Sequence, residues 1–93
     1  MNITIRIPSP LRRFTEQAAQ IELNANTVGE ALMALNAQYP DLQTQLMDEQ
    51  GKLRNFVNIF HNKIDIKQLQ GMESTLDEGS ELRIVPAIAG GKK

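Results

Sequence analysis

The chain contains no cysteine and a single histidine, His61. These absences exclude a disulfide scaffold, a zinc ribbon, a cysteine nucleophile and a histidine-rich metal site, and they leave little for general acid–base catalysis. There is no excess of positive charge: 10 Lys and Arg stand against 11 Asp and Glu, for a net charge of −1. A chain without a basic surplus has little with which to neutralise phosphates, so nucleic acid is not the expected partner. No apolar run approaches the roughly 18 residues of a membrane span, and the first residues lack the basic and apolar regions of a secretory signal. No membrane association is expected, and the expected compartment is the cytoplasm. Ser9, Ser74 and Ser80 have no second histidine with which to form a nucleophile–base pair, and Asp41, Asp48 and Glu49 do not have the spacing of a calcium loop. No metal site and no bound cofactor are expected, and the composition favours a domain that binds or is acted upon over an enzyme.

What is present is a small globular domain. The 93 residues, 41% hydrophobic and 23% charged, suffice for one core and leave no room for a second. Asn2–Ile7 alternates strictly, placing Ile3, Ile5 and Ile7 on one face of a strand that Pro8 and Pro10 end. After a polar turn at Arg12 and Arg13, whose charges read as solvated, a second strand is expected within Gln17–Leu23. Thr27 and Glu30 are spaced as a capping box, and Val28, Ala31, Leu32, Leu35 and Tyr39 recur at helical spacing, so a helix is predicted over Val28–Gln38. Pro40 disfavours helical geometry at Tyr39 and stops it there. Leu42, Leu46 and Met47 indicate one more helical turn.

The second half returns to strands. Phe56–His61 is aromatic and β-branched, Asn62-Lys63 forms a turn into a short strand at Ile64–Ile66, and Asp77–Ser80 is a turn with Gly79 available for positive φ. Glu81–Pro86 is the last strand, with Leu82 and Ile84 on one face and Arg83 and Val85 on the other. The order is ββαββ with a late extra strand, read as a small mixed sheet covered on one face by one helix. The expected core is Ile3, Ile5, Ile7, Ile21, Val28, Leu32, Leu35, Val57, Ile59, Leu82 and Ile84. His61 falls on the Val57 and Ile59 face near a strand end and reads as a half-buried structural histidine. Met33, Met47 and Met72 read as core filler and linker. Phe60, Arg83 and Val85 point away from the helix and form a candidate docking patch.

Beyond Pro86 the sequence is Ala87-Ile88-Ala89-Gly90-Gly91-Lys92-Lys93. Residues 1–86 are assigned to the folded domain and 87–93 to a flexible tail, in which the paired glycines read either as part of a plain disordered terminus or as a backbone that a partner cleft can grip closely. The stretch from Asp77 to Gly91 resembles the C-terminal signature of the MoaD/ThiS family of prokaryotic ubiquitin-like sulfur carriers. The opening Met1–Ile5, Leu53, Phe56–Ile59 and His61-Asn62 resemble the CysO-type carriers of that family. The resemblance implies a ubiquitin-like β-grasp fold, an α+β mixed sheet of four to five strands on one main helix. It implies that an E1-like adenylyltransferase uses ATP and magnesium to adenylate the Gly91 carboxylate. Sulfur then displaces AMP to leave a thiocarboxylate that donates sulfur in biosynthesis, of cysteine by the CysO likeness, through a cysteine-synthase-like enzyme. Ile88, Ala89 and Gly90 are then the tail-recognition residues.

Because Lys92 and Lys93 follow Gly91, its carboxyl is tied up in a peptide bond. The expectation is a precursor cleaved between Gly91 and Lys92 by a JAMM-type zinc protease. Two further readings stay open: the small subunit of a molybdopterin synthase, which would co-purify with a larger subunit, and a protein modifier joined to lysines through Gly91.

Overall fold

The computed structural model describes residues 1–86. Its elements are strands β1 (Asn2–Arg6) and β2 (Gln20–Asn24), helices α1 (Val28–Gln38) and α2 (Pro40–Leu46), and strands β3 (Val57–His61), β4 (Ile64–Asp65) and β5 (Glu81–Pro86). The five strands form one mixed sheet in the order β2-β1-β5-β3-β4. β1 and β5 run parallel at its centre, with Ile5 opposite Leu82, while β1–β2, β3–β5 and β3–β4 are antiparallel. Alternation puts Ile3, Ile5, Ile21, Val57, Ile59, Leu82 and Ile84 on the inner face, against Val28, Ala31, Leu32 and Leu35 of α1. This is the ubiquitin-like β-grasp arrangement, and all eleven residues expected in the core are buried.

The differences from the sequence reading have physical causes. The second strand begins at Gln20 and not at Gln17, because Glu16 and Gln17 take positive φ values of 57° and 71° in the turn that precedes it. The polar segment at Arg12 is a 3-10 turn over Ser9–Phe14 that drives Leu11 into the core. Pro40 ends α1 and also opens α2, where its missing N–H costs nothing at the first helical position, and Leu42 and Leu46 become fully buried. Phe56 belongs to the turn before β3 and is 46% exposed. Ile66 leaves β4 for a 3-10 turn and enters the core. The α1 cap is half a capping box: the Glu30 N–H donates to Thr27 Oγ1 at 3.2 Å, but Glu30 Oε1 accepts from the Asn26 N–H and not from that of Thr27.

Two turns near the end of the sheet follow different rules. Gly79 takes the positive φ (83°) expected of it, and its N–H donates to the Asn2 carbonyl, tying the last turn to the first strand. The two-residue β3–β4 turn also needs positive φ at both positions, 49° at Asn62 and 81° at Lys63. Asparagine tolerates this geometry, but lysine pays the steric cost of a Cβ in the left-handed region. Lys63→Gly is therefore expected to raise the stability by about 0.5–1 kcal/mol, read as a higher urea midpoint with unchanged slope. An unaltered or lower midpoint would show that this turn is not strained.

Candidate functional site

The outer face of the sheet carries the candidate docking residues. In register across the three central strands, Arg6 stands beside Arg83 and Arg83 beside Phe60. One step along β5 in either direction lie Glu81 and Val85, because residues two apart share a face. Phe60, Arg83 and Val85 are thus brought together as expected. They line an open cavity of about 450 Å³ with Asn62, Lys63 and Glu81. Phe60 and Val85 are half-buried and Arg83 is exposed, so the patch is an apolar floor with charged walls. Sequence reasoning missed the walls. Arg6, Lys63 and Glu81 belong to three different segments, and only the parallel β1–β5 pairing and the hairpin at Asn62-Lys63 join them. The outward alternation of Arg6 in β1 was the one available signal.

Glu81 organises this face. Its carboxylate accepts from Arg6 Nε at 2.8 Å and lies 3.9 Å from Arg83 Nη2. The Arg6 hydrogen bond, helped by the charges of Arg6, Arg83 and Lys63, holds the Glu81 carboxyl below the usual glutamate range against a smaller opposing effect of burial. Asp48, remote from this face, is also lowered, chiefly by the Lys52 backbone N–H that donates to its carboxylate. His61 serves structure: its half-buried ring meets Ser80 Oγ through Nε2 at 2.9 Å, and the same oxygen accepts from the Asp77 N–H at 2.8 Å, bracing the turn into β5. Met33, Met47 and Met72 lie together in a groove beside α1; Met33 is 74% exposed, while Met47 and Met72 pack against the core. Among the described residues there is no cluster of metal-ligating side chains and no helix long and apolar enough to cross a membrane. Ile88, Ala89, Gly90, Gly91 and Lys92 lie outside the described residues.

A folded-state pKa below the unfolded value means that Glu81 adds stability in full above about pH 5, and that this increment is lost as acid titrates the carboxylate through and below about pH 4. The pair is over one-third exposed at both ends, so screening keeps the increment small. Glu81→Gln is expected to lose about 0.5 kcal/mol at neutral pH, and this gap is expected to narrow at an acid pH below the ordinary glutamate range. A gap of the same size at both pH values, measured by chemical denaturation, would exclude the ion pair as its source.

Comparison with known proteins places this architecture. The ThiS family model matches residues 5–91. The sulfur carrier protein CysO of Mycobacterium bovis is 36% identical over 93 residues, covering 98% of this chain and all of the relative. Small archaeal modifier protein 3 of Haloferax volcanii is 37% identical over 65 residues, 70% of each chain. Among solved structures, a chain of the Amycolatopsis orientalis BexX/CysO complex superposes with a TM-score of 0.87 at 31% identity, covering 96% of this chain and 99% of that one. These relatives are thus a sulfur carrier protein and a small modifier protein. With its fold, its full-length match to CysO and a family match that reaches Gly91, the chain belongs to the ThiS family of ubiquitin-like sulfur carriers.

Proposed function

We propose that this chain carries sulfur as a thiocarboxylate on Gly91 and delivers it in the biosynthesis of cysteine. The observation that carries this reading is the 36% identity to CysO, named as a sulfur carrier protein, over 98% of the chain. The chemistry begins with hydrolysis of the Gly91–Lys92 peptide bond by a JAMM-type zinc protease, because an amide carbonyl has no free carboxylate to activate. In the E1-like adenylyltransferase the freed carboxylate attacks the α-phosphorus of ATP, with magnesium as that enzyme's metal, and pyrophosphate leaves. Sulfur at the hydrosulfide level then attacks the acyl carbon, AMP departs, and a proton passes to solvent. The resulting thiocarboxylate is an ionised, soft nucleophile. It attacks the activated carbon of an acceptor held by a cysteine-synthase-like enzyme, so the sulfur travels as part of a covalent partner.

The described domain supplies recognition. A carrier body that docks through Phe60, Arg83 and Val85 holds the tail at an effective concentration that a free peptide lacks, and Ile88, Ala89 and Gly90 thread the partner's channel. Likeness to small archaeal modifier protein 3 favours one second reading, conjugation of Gly91 to lysine side chains. All of these steps belong to the cytoplasm.

The test is the intact mass of the untagged chain isolated from its own cells. The expected result is a chain ending at Gly91, with a fraction in which one oxygen is replaced by sulfur. A population that retains Lys92 and contains no sulfur would overturn the carrier reading, and Gly91 isopeptide remnants on cellular lysines would install the modifier reading in its place. For docking, Phe60→Asp is expected to slow adenylation of the chain ending at Gly91 at least about tenfold, as loss of an apolar anchor does, with the thermal transition retained. Unchanged adenylation would remove Phe60 from the interface.

A further inference from the structure

A second cavity adjoins the Phe60 patch, sharing Arg83 and Val85 with it, and extends to the point where β5 ends. It measures about 270 Å³, and its lining includes Arg6, Arg12, Arg83, Pro8, Ala19 and Pro86. Three guanidinium groups line it and no acidic side chain does, in a chain whose formal net charge is −1. The only acid within ion-pair distance of these arginines among the described residues is Glu81, which engages Arg6 and, at 3.9 Å, Arg83; Arg12 has none. Arg12 is nevertheless held in place, because its Nε donates to the Ile7 carbonyl at 3.0 Å, which fixes the plane of the guanidinium and leaves its terminal nitrogens to other acceptors. Such a fork is built for a carboxylate, which it meets through two parallel hydrogen bonds.

We propose that this cleft receives an aspartate or glutamate side chain of the activating enzyme and so sets the direction in which the tail leaves the body. The proposal rests on the carrier reading above and adds the chemistry of the partner. Charge complementarity selects the occupant: Glu81 engages Arg6 and, more loosely, Arg83, so the cleft keeps a positive excess, centred on Arg12, that an entering carboxylate offsets. Position supplies the reason for it. Pro86 lines the cleft, and the five residues from Pro86 to Gly91 span at most about 18 Å. A carboxylate fixed in the cleft thereby limits where the reacting carbonyl can be presented, whereas the Phe60 patch supplies apolar contact area.

The test measures adenylation of the chain ending at Gly91 by the E1-like adenylyltransferase of the same organism, through ATP–pyrophosphate exchange at low and at high sodium chloride. Arg12→Gln is expected to lower kcat/KM for the carrier about tenfold, with kcat falling as well as KM rising, and to flatten the dependence of kcat/KM on salt. Arg12→Lys, which keeps the charge and loses the fork, is expected to recover part of the loss. Arg13→Gln is the control, because Arg13 lies over the Phe14 ring at 4.9 Å and takes no part in the lining. Arg83→Gln repeats the test on an exposed strand residue should Arg12→Gln lower the thermal transition. If Arg12→Gln and Arg83→Gln both match Arg13→Gln in kcat, in KM and in salt dependence, the proposal is overturned while the carrier reading stands. If the unsubstituted chain is not adenylated at all, both fall.

Discussion

The parallel pairing of β1 with β5 is the constraint on which the rest of this structure depends. It joins the two ends of the domain: Ile5 faces Leu82 across the ladder, Thr4 donates its N–H to the Ser80 carbonyl, and Gly79 donates to Asn2. β5 has β1 on one side and β3 on the other, so the last strand occupies the most protected position in the sheet. The inner faces of these strands close on α1 and form one continuous core, the dominant stabilising term in so small a domain. Because the pairing is parallel, β1 and β5 end on the same side. The Pro8–Arg12 turn that leaves β1 therefore stands beside Pro86, and the arginine cleft is a by-product of the topology.

The same pairing divides the molecule by function. Alternation commits every second residue of β5 to the core, and the residues between, Glu81, Arg83 and Val85, are left on the outer face. Glu81 keeps this outer face from being uniformly cationic. It binds Arg6 tightly and Arg83 loosely, which leaves Arg83 adaptable while Arg6 is fixed. Behind the strand, His61 and Ser80 brace the turn that sets the start of β5, so the orientation of the strand is fixed at its first residue as well as along its ladders. None of these groups needs to do chemistry for the chain to act as a carrier.

The fold was legible wherever a period ran long enough to be read. Ile3, Ile5 and Ile7 announce a strand, Val28 to Leu35 announce a helix, and Leu82 with Ile84 orient β5; all are buried as the alternation requires. Isolated apolar residues were not legible. Leu11, Ile66 and Leu76 enter the core from irregular segments where no period exists to mark them. Pro40 was read as a stop and not as the start that it also is, since the two signals coincide at one residue. At the candidate site the outward placement of Phe60, Arg83 and Val85 followed from local alternation. The approach of Arg6, Arg12 and Lys63 to them did not, because these neighbours are chosen by strand order, and strand order is a property of the whole chain.

A carrier without catalytic groups can raise the rate of its own activation only through binding energy, and where that energy is applied decides what it achieves. Contact at the end of the sheet far from Pro86 would hold the body without directing the approach of Gly91, lowering KM with little gain in the chemical step. On the proposed reading, contact near Pro86 narrows the positions from which Gly91 can be presented, and this is the part of the binding energy that counts toward the transition state. In the same reading, the β-grasp topology gives β5 and its neighbour β3 both kinds of surface side by side: an apolar patch at Phe60 and Val85 for affinity, and an adjoining cationic cleft reaching Pro86 for aim. On the proposed reading, the central, doubly paired position of β5 is what lets a small body transmit docking to its tail, because a strand held by ladders on both sides cannot swing when its end is pulled into an active site.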